Sequence, residues 1–442
     1  MSLNYIIQIP YYDEIKSISY ELDSPVYFVG GVVRDLLLGR EITDVDLVCF
    51  NGEYTFFAKK LSAKLGSTCI SFKDNMRLVK KQTIIDISKP RGKNILEDLN
   101  KRDFTINNLA MNLEGEILGD KSDLLHRKIK HVYADVFKDD PLRMLRAFRF
   151  VSELGFALDS STARLIAYNA SDITNTAKER IFQELYKMFT GKYLRNTLRD
   201  FFCAGRKRAN SVGKFLFSEL AEAQYIKQPA RFHKENILNH SISVAEEMFR
   251  IVDELNLNEE KRFVLISAAI LHDCGKKTAW ENNSGRNFAY HDIIGEKVGK
   301  QIMKRLGYPS KCQNYVGFLI KHHLRLTIFS VNGVRKSKLQ KYVFENRKYI
   351  DDIILLSLAD NMVKKFNIKL LHSIILRIRN IQKDMDLAAL EKIKGTDILN
   401  MGVEKGPEVS RILKEVHFRL AFGYLKNYDE ITKFVQSIKG ET

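Results

Sequence analysis

The 442-residue sequence predicts an α+β chain in which a mixed head of strands and helices precedes a mostly α-helical body. Two patterns carry this. From Pro25 to Ser88, short apolar runs rich in β-formers alternate with turn signals, as half-buried strands do. From about Asp139 onward, apolar residues recur at helical spacing and hardly leave it. The length exceeds one ordinary domain and 45% apolar composition supplies several cores, so the expected division is a head over 1–138, a helical neck over 139–230, a histidine-bearing domain over 231–365 and a helical tail over 366–442.

Within the head, Val26-Tyr27-Phe28-Val29 reads as a strand, and Gly30-Gly31 after it would let backbone N–H groups approach an anion where the next helix starts. Arg34 falls one turn into that helix. In Asp44-Val45-Asp46, strand alternation puts both carboxylates on one face, with Val45 and Leu47 on the other. Two like charges so placed call for a cation. Oxygen ligands suit Mg²⁺, which is commonly completed by waters and substrate phosphates, so a phosphate cradle beside an Asp-x-Asp strand points to nucleotidyl transfer with Asp44 and Asp46 catalytic. Met76 to Ile87 reads as a hairpin turning near Lys81-Gln82; Asp86 at its end is expected to be structural, with a third metal-facing carboxylate as the lesser alternative.

Asp140 and Pro141 open a helix on which Arg143, Arg146 and Arg149 share an arc of about 120°, opposite an apolar face of Met144, Ala147, Phe148, Val151 and Leu154. Cytosine and adenine both present an amino donor beside a ring-nitrogen acceptor. Ionised Asp supplies only acceptors and Arg only donors, so Asp140 with Arg143 can imitate the complementary edge and select C and A. Arg146 and Arg149 are then left to neutralise phosphates. Gly205 to Ala230 is basic and weakly patterned, the composition of a joint.

The net charge of +17 favours a polyanionic partner. Five dispersed cysteines without a Cys-x-x-Cys pair argue against a disulfide scaffold and for a reducing compartment. The start lacks a secretory pattern, and the strongest apolar stretch, Phe263 to Leu271, is too short to span a bilayer, so a cytoplasmic protein without membrane attachment is expected. Nothing in the sequence names a protein partner.

Gly30 to Gly39, Thr43 to Val48, Lys101-Arg102-Asp103-Phe104-Thr105-Ile106-Asn107-Asn108-Leu109-Ala110, Asp139 to Phe150 and, more loosely, Lys178-Glu179-Arg180 with Glu184 occur in one order. Together they resemble the CCA-adding tRNA nucleotidyltransferase and poly(A) polymerase family of bacterial and eukaryotic type. The resemblance implies a polymerase-β-like nucleotidyltransferase head, Mg²⁺ on Asp44 and Asp46, tRNA as partner, and CTP and ATP as substrates. Nucleotide contacts would come from Gly30, Gly31, Arg34, Arg102, Asp103, Asp140, Arg143, Arg146 and Arg149, with Arg102 and Asp103 meeting the sugar. Gly395 to Pro407 resembles the tail of such enzymes, implying tRNA contact.

Six of the ten histidines, His233, His240, His272, His291, His322 and His323, fall within about ninety residues, and His272-Asp273 ends an apolar helix. His240, Leu271-His272-Asp273-Cys274-Gly275-Lys276 and Asp360 resemble the HD superfamily of metal-dependent phosphohydrolases. That implies a transition metal on His240, His272, Asp273 and Asp360, with His291 and His322 available for a second ion.

Two departures bear on activity. Only fourteen residues, Ile87 to Asn100, separate Asp86 from Lys101, where CCA-adding relatives carry a longer flexible loop that helps the site pass from CTP to ATP. The turn at Gly119 to Leu124 is also shortened relative to theirs. The expectation is therefore tRNA 3′-terminal nucleotidyl transfer of CMP, and of AMP where the full CCA end is built, with the two departures favouring restriction to CC; poly(A) polymerase activity, and an HD phosphohydrolase with a nucleotide-binding head, are the alternatives.

Overall fold

Seven strands form one mixed sheet: β1 (Val26–Val29), β2 (Asp44–Cys49), β3 (Thr68–Ser71), β4 (Asn75–Lys80), β5 (Thr83–Ser88), β6 (Ala110–Met111) and β7 (Ile117–Leu118). Their order is β3-β4-β5-β2-β1-β6-β7, and only the β2–β5 pair is parallel. The computed structural model describes residues 3–50, 54–203, 210–228, 235–365 and 368–439.

Alternation along the central strands decides which side chains meet solvent. Val45 and Leu47 of β2 and Ile85 and Ile87 of β5 are buried, which leaves Asp44, Asp46 and Asp86 on the other face. The β4–β5 hairpin turns at Lys81-Gln82, where Lys81 adopts a left-handed φ of 53°. The helix Gly31–Leu37 follows β1 directly.

The chain clusters into two compact units. One comprises residues 1–226 with 258–263 and 301–313; the other comprises 227–257, 264–300 and 314–442. The expected head and the expected neck up to residue 226 thus lie in a single unit. Within it, the helices Leu142–Leu154 and Lys178–Thr190 pack closely, Ser152 Oγ donating to the Met188 carbonyl at 2.6 Å. A Cβ at Gly191 would stand 2.3 Å from that hydroxyl, so only glycine fits there. The excursions to 258–263 and 301–313 have an aromatic cause: the rings of Phe263 and Tyr308 pack on Phe182, Tyr186 and each other.

The stretch read as a joint is partly helical instead. Val212–Leu216 and Ser218–Ala223 form short helices because Val212, Leu216, Phe217, Leu220 and Ala223 are buried, an apolar pattern masked by the basic residues around it. The expected 230/231 boundary and His233 lie outside the described residues.

In the second unit the helices Ile237–Glu254 and Ile350–Lys364 lie together, and the tail has its own core of Ile398, Ile412, Val416, Leu420, Ile431 and Val435. Among the described residues no helix is long and apolar enough to cross a membrane.

Candidate functional site

A cavity of about 410 Å³ opens on the polar side of the sheet, lined among others by Gly30, Gly31, Asp46, Asp86, Arg91, Arg102, Asp103, Asp140, Arg143, Arg146 and Arg180. Acids from the strands thus face guanidinium groups from the 89–103 connection and the neck. Asp46 and Asp86 stand in register across β2 and β5. Burial and then the neighbouring Asp86 push the Asp46 carboxyl up to about 6, with Arg102 pulling the other way. Two carboxylates repelling each other in this way suit a divalent cation. Asp44 lies at the exposed start of β2, on the same face.

Gly30 adopts φ +68°, and a Cβ there would meet Arg102 Nη1 at 2.9 Å; one at Gly31 would lie 3.7 Å from Asp46 Oδ2. Glycine at position 30 therefore lets Arg102 close in on the turn, whereas a Cβ at Gly31 would make only ordinary contact with Asp46. The expectation that backbone N–H groups of this turn face an anion does not hold for Gly30, whose N–H donates to the Leu109 carbonyl at 2.9 Å.

Arg102 is held by Asp98, its Nη2 at 2.8 Å from Oδ2. Asp103 accepts from Arg146 Nε at 2.8 Å and Asn107 Nδ2 at 3.1 Å. Burial alone would raise the Asp103 carboxyl, yet Arg146 and Asn107 hold it well below the usual range. Asp140 accepts the Leu142 N–H through Oδ1 and lies 2.8 Å from Arg180 Nη2 through Oδ2. Arg143 Nη1 donates to Tyr133 Oη at 2.7 Å.

Two expected nucleotide contacts, Arg34 and the phosphate-neutralising Arg149, do not line the cavity. Arg34 is buried, donating to Asp35 and to Asn107 Oδ1 with its guanidinium over Phe150. Arg149 is likewise buried, 3.2 Å from Glu184 Oε2 and stacked on Phe150. Helical spacing could place Arg149 in the stripe but could not show that Glu184 would claim it. Arg91 and Arg180 are cavity residues not named as contacts from the sequence; the Lys178-Glu179-Arg180 match was the available signal for the second, and none marked the first.

In the second unit the histidines form two groups that share Asp273. His240, His272 and Asp273 present ligand atoms within 4.8 Å of one another, as do Asp273, His291 and His323. Asp360 Oδ1 lies 2.9 Å from His240 Nε2 and 3.7 Å from His272 Nε2. The expected His322 is not in the second group; His323 is. His322 Nδ1 faces Tyr342 Oη at 3.1 Å and its ring packs on Phe318, while burial, then Lys321 and Arg325, lowers its pKa to about 4. One residue further along the chain, His323 is turned about 100° toward Asp273.

The donor set fits a metal. Nε2 of His272, His291 and His323 is buried without a hydrogen bond among the described residues, while Nδ1 of each faces a backbone carbonyl. That fixes the tautomer leaving Nε2 as the ligand atom. Lys276 and Lys364 each lie 2.7 Å from a carboxylate oxygen, of Asp273 and Asp360 respectively.

Comparison with known proteins agrees with this layout. Residues 26–94 match the Poly A polymerase head domain, 155–205 the "Probable RNA and SrmB- binding site of polymerase A", and 237–364 the HD domain. The chain is 26% identical over 439 residues to the A-adding tRNA nucleotidyltransferase of Deinococcus radiodurans, covering 94% of this chain and 95% of that protein. It is 26% identical over 428 residues to the CC-adding tRNA nucleotidyltransferase of Thermus thermophilus, covering 93% of each. The fold matches the Thermotoga maritima CCA-adding enzyme complexed with tRNA at a TM-score of 0.62 and 23% identity, over 96% of this chain and 94% of that one. The chain thus carries a Poly A polymerase head domain, an RNA-binding segment and an HD domain in one order, and over nearly its whole length it is similar to tRNA nucleotidyltransferases named as A-adding, CC-adding and CCA-adding enzymes.

Proposed function

We propose that this chain is a cytoplasmic, template-independent nucleotidyltransferase that extends the 3′ end of tRNA with CMP from CTP and stops after CC. The observation that carries the reading is one cavity where Asp46 and Asp86 meet Asp140, Arg143 and Arg102. Acidic groups for a cation and an acceptor–donor pair for a base face the same space.

Asp44 and Asp46 would hold Mg²⁺, which when bound supplies charge stabilisation for attack of a 3′-hydroxyl on the α-phosphate and departure of pyrophosphate. Arg102, held by Asp98, and Arg146, held by Asp103, supply fixed positive charge in the cavity for the triphosphate. Asp140 and Arg143 read the amino donor and ring-nitrogen acceptor that C and A share. Both base readers come from one segment at the start of one helix, so the backbone sets the separation of their Cα atoms.

Restriction to CC is supported by the connection between β5 and the helix Ile95–Leu99. Arg91 N–H donates to Asp98 Oδ1, the Arg91 carbonyl accepts from Lys101 Nζ, and Lys93 N–H donates to Glu97 Oε2. A short connection tied at these points has little slack to reshape the pocket from a pyrimidine to a purine. We further propose that the HD region holds a transition metal on His240, His272, Asp273 and Asp360, with His291 and His323 beside Asp273.

The test is gel-resolved extension of tRNAs ending before CCA, after C and after CC, with CTP, ATP or both. Addition of two cytidines followed by a stop supports the reading. Efficient terminal adenosine addition replaces CC with CCA specificity; adenosine addition only to CC ends assigns A addition; long A tails on unrelated RNA assign poly(A) synthesis.

A further inference from the structure

Asp139, immediately before the base-selecting pair, has no part in the chemistry described above. Its partner is Tyr133, whose Oη lies 2.6 Å from Asp139 Oδ2. The same phenol oxygen lies 2.7 Å from Arg143 Nη1. A phenol has one proton, and a guanidinium can only donate. The directions are therefore fixed: Arg143 donates to Tyr133, and Tyr133 donates to Asp139. The guanidinium also lies over the Tyr133 ring, 6.0 Å from its centroid, with Nη2 3.4 Å from the Lys101 carbonyl.

An arginine that reads a base must hold its donors at a set distance from the paired acceptor, and its long side chain has many rotamers with which to miss. Asp140 already has a short side chain, a backbone N–H on Oδ1 and Arg180 on Oδ2. Arg143 has no comparable backbone restraint except through distant carbonyls at 3.4 and 3.5 Å. The short bond from Nη1 to the phenol is what fixes it.

We propose that Tyr133, anchored by Asp139, is the positioning residue for base selection, holding one nitrogen of the Arg143 guanidinium so that the rest faces the nucleotide at a fixed distance from Asp140. The proposal rests on the reading of Asp140 and Arg143 as the base-selecting pair. Tyr133 touches no nucleotide in this scheme. It is half-buried, and Tyr133→Phe keeps the ring while removing only the oxygen.

The experiment compares kcat/KM for CTP and UTP on the full chain with tRNA lacking its 3′ end. Both nucleotides are measured on the same preparation, so loss of folded enzyme cancels in the ratio. Tyr133→Phe is expected to lower the CTP preference about tenfold, Arg143→Ala at least as much, and the double variant no more than Arg143→Ala alone. Asp139→Ala is expected to reproduce Tyr133→Phe, whereas Asp139→Asn, which keeps an acceptor for the phenol, restores most of the preference. If Arg143→Ala lowers the preference and Tyr133→Phe does not, the positioning role is overturned and the base-selecting pair stands. If Arg143→Ala also leaves the preference unchanged, the pair and its positioning residue fall together.

Discussion

Asp46 and Asp86 occupy opposed places in the parallel β2–β5 register, and Asp86 is gripped from its far side by Arg77 through two bonds of 2.8 and 2.7 Å. Arg77 opposes Asp86 across the hairpin, so Arg77, Asp86 and Asp46 form one row over three strands. The arginine orients Asp86 and offsets part of its charge. Among the described residues Asp46 has no such partner, and it bears the repulsion.

That asymmetry predicts a pH dependence. Asp46, pushed up to about 6 by burial and then by Asp86, must lose a proton to hold a cation, so at subsaturating Mg²⁺ the CMP incorporation rate should fall as pH drops through about 6. Asp86→Asn removes a neighbouring negative charge and should move this limb to lower pH. An unchanged limb in rate–pH profiles of the variant contradicts the coupling. Because the folded pKa exceeds the unfolded value, Asp46 favours the metal-free fold at low pH, and that contribution is lost as pH rises through about 6.

Replacing both Asp44 and Asp46 with Ala should abolish incorporation while leaving the melting temperature close to that of the parent, since both lie on the polar face of β2. Near-normal single-turnover rates in the double variant would remove these residues from the chemistry.

Asp140→Ala should raise UTP and GTP misincorporation relative to CTP by on the order of ten- to a hundredfold, the size of one good bidentate base contact. The readout is the ratio of kcat/KM values; an unchanged ratio means that the base is chosen elsewhere.

For Arg149 the expected defect is in stability. Its partner Glu184 is buried with it, and removing Arg149 leaves that carboxylate only the longer 3.5 Å contact to Arg146, a loss that approaches the about 3–5 kcal/mol of breaking a buried pair. Arg149→Ala should therefore lower the urea midpoint strongly while KM for CTP in the remaining folded enzyme is unchanged. A raised KM with normal stability would return Arg149 to the phosphates.

At the HD centre, the full chain should copurify with a transition metal, and the His272→Ala, Asp273→Ala double variant should not. Elemental analysis decides this, with CMP incorporation by the head as the control for an intact first unit. Equal metal content in parent and variant would mean that the imidazoles serve packing alone. If metal is present, hydrolysis of phosphodiesters and phosphomonoesters is the activity to assay.

What could be read from the sequence was what local periodicity or short spacing determines. The strand at Val26–Val29, the shared face of Asp44 and Asp46, the hairpin at Lys81-Gln82 and the helix after Asp140 all follow from steps of two or 3.6 residues. Partners distant in sequence did not. Nothing near Arg149 announces Glu184, and nothing near Asp86 decides between structural use and the cavity until Arg77 is placed across the hairpin. His322 and His323 differ by one helical step, and only the packing of Phe318 and Tyr342 against the former sends the latter inward. The short helices after residue 210 were hidden because their few apolar positions sit in a basic stretch too short to show a period.

The ladder from Asp103 through Arg146 and Glu184 to Arg149 also limits how this protein can be taken apart. Asp103 belongs to the head by sequence, but its counter-charge comes from the helix that follows. A chain cut at residue 138 would expose Asp103 and the apolar face around Phe104 and Phe137, whose rings pack together and, through Phe104, against Phe150. The catalytic sheet is thus not a portable module: in exchanging parts between relatives, the unit of transfer is sheet plus neck, and a chimera joined between them must bring the acid at 103 and the arginine at 146 from the same parent.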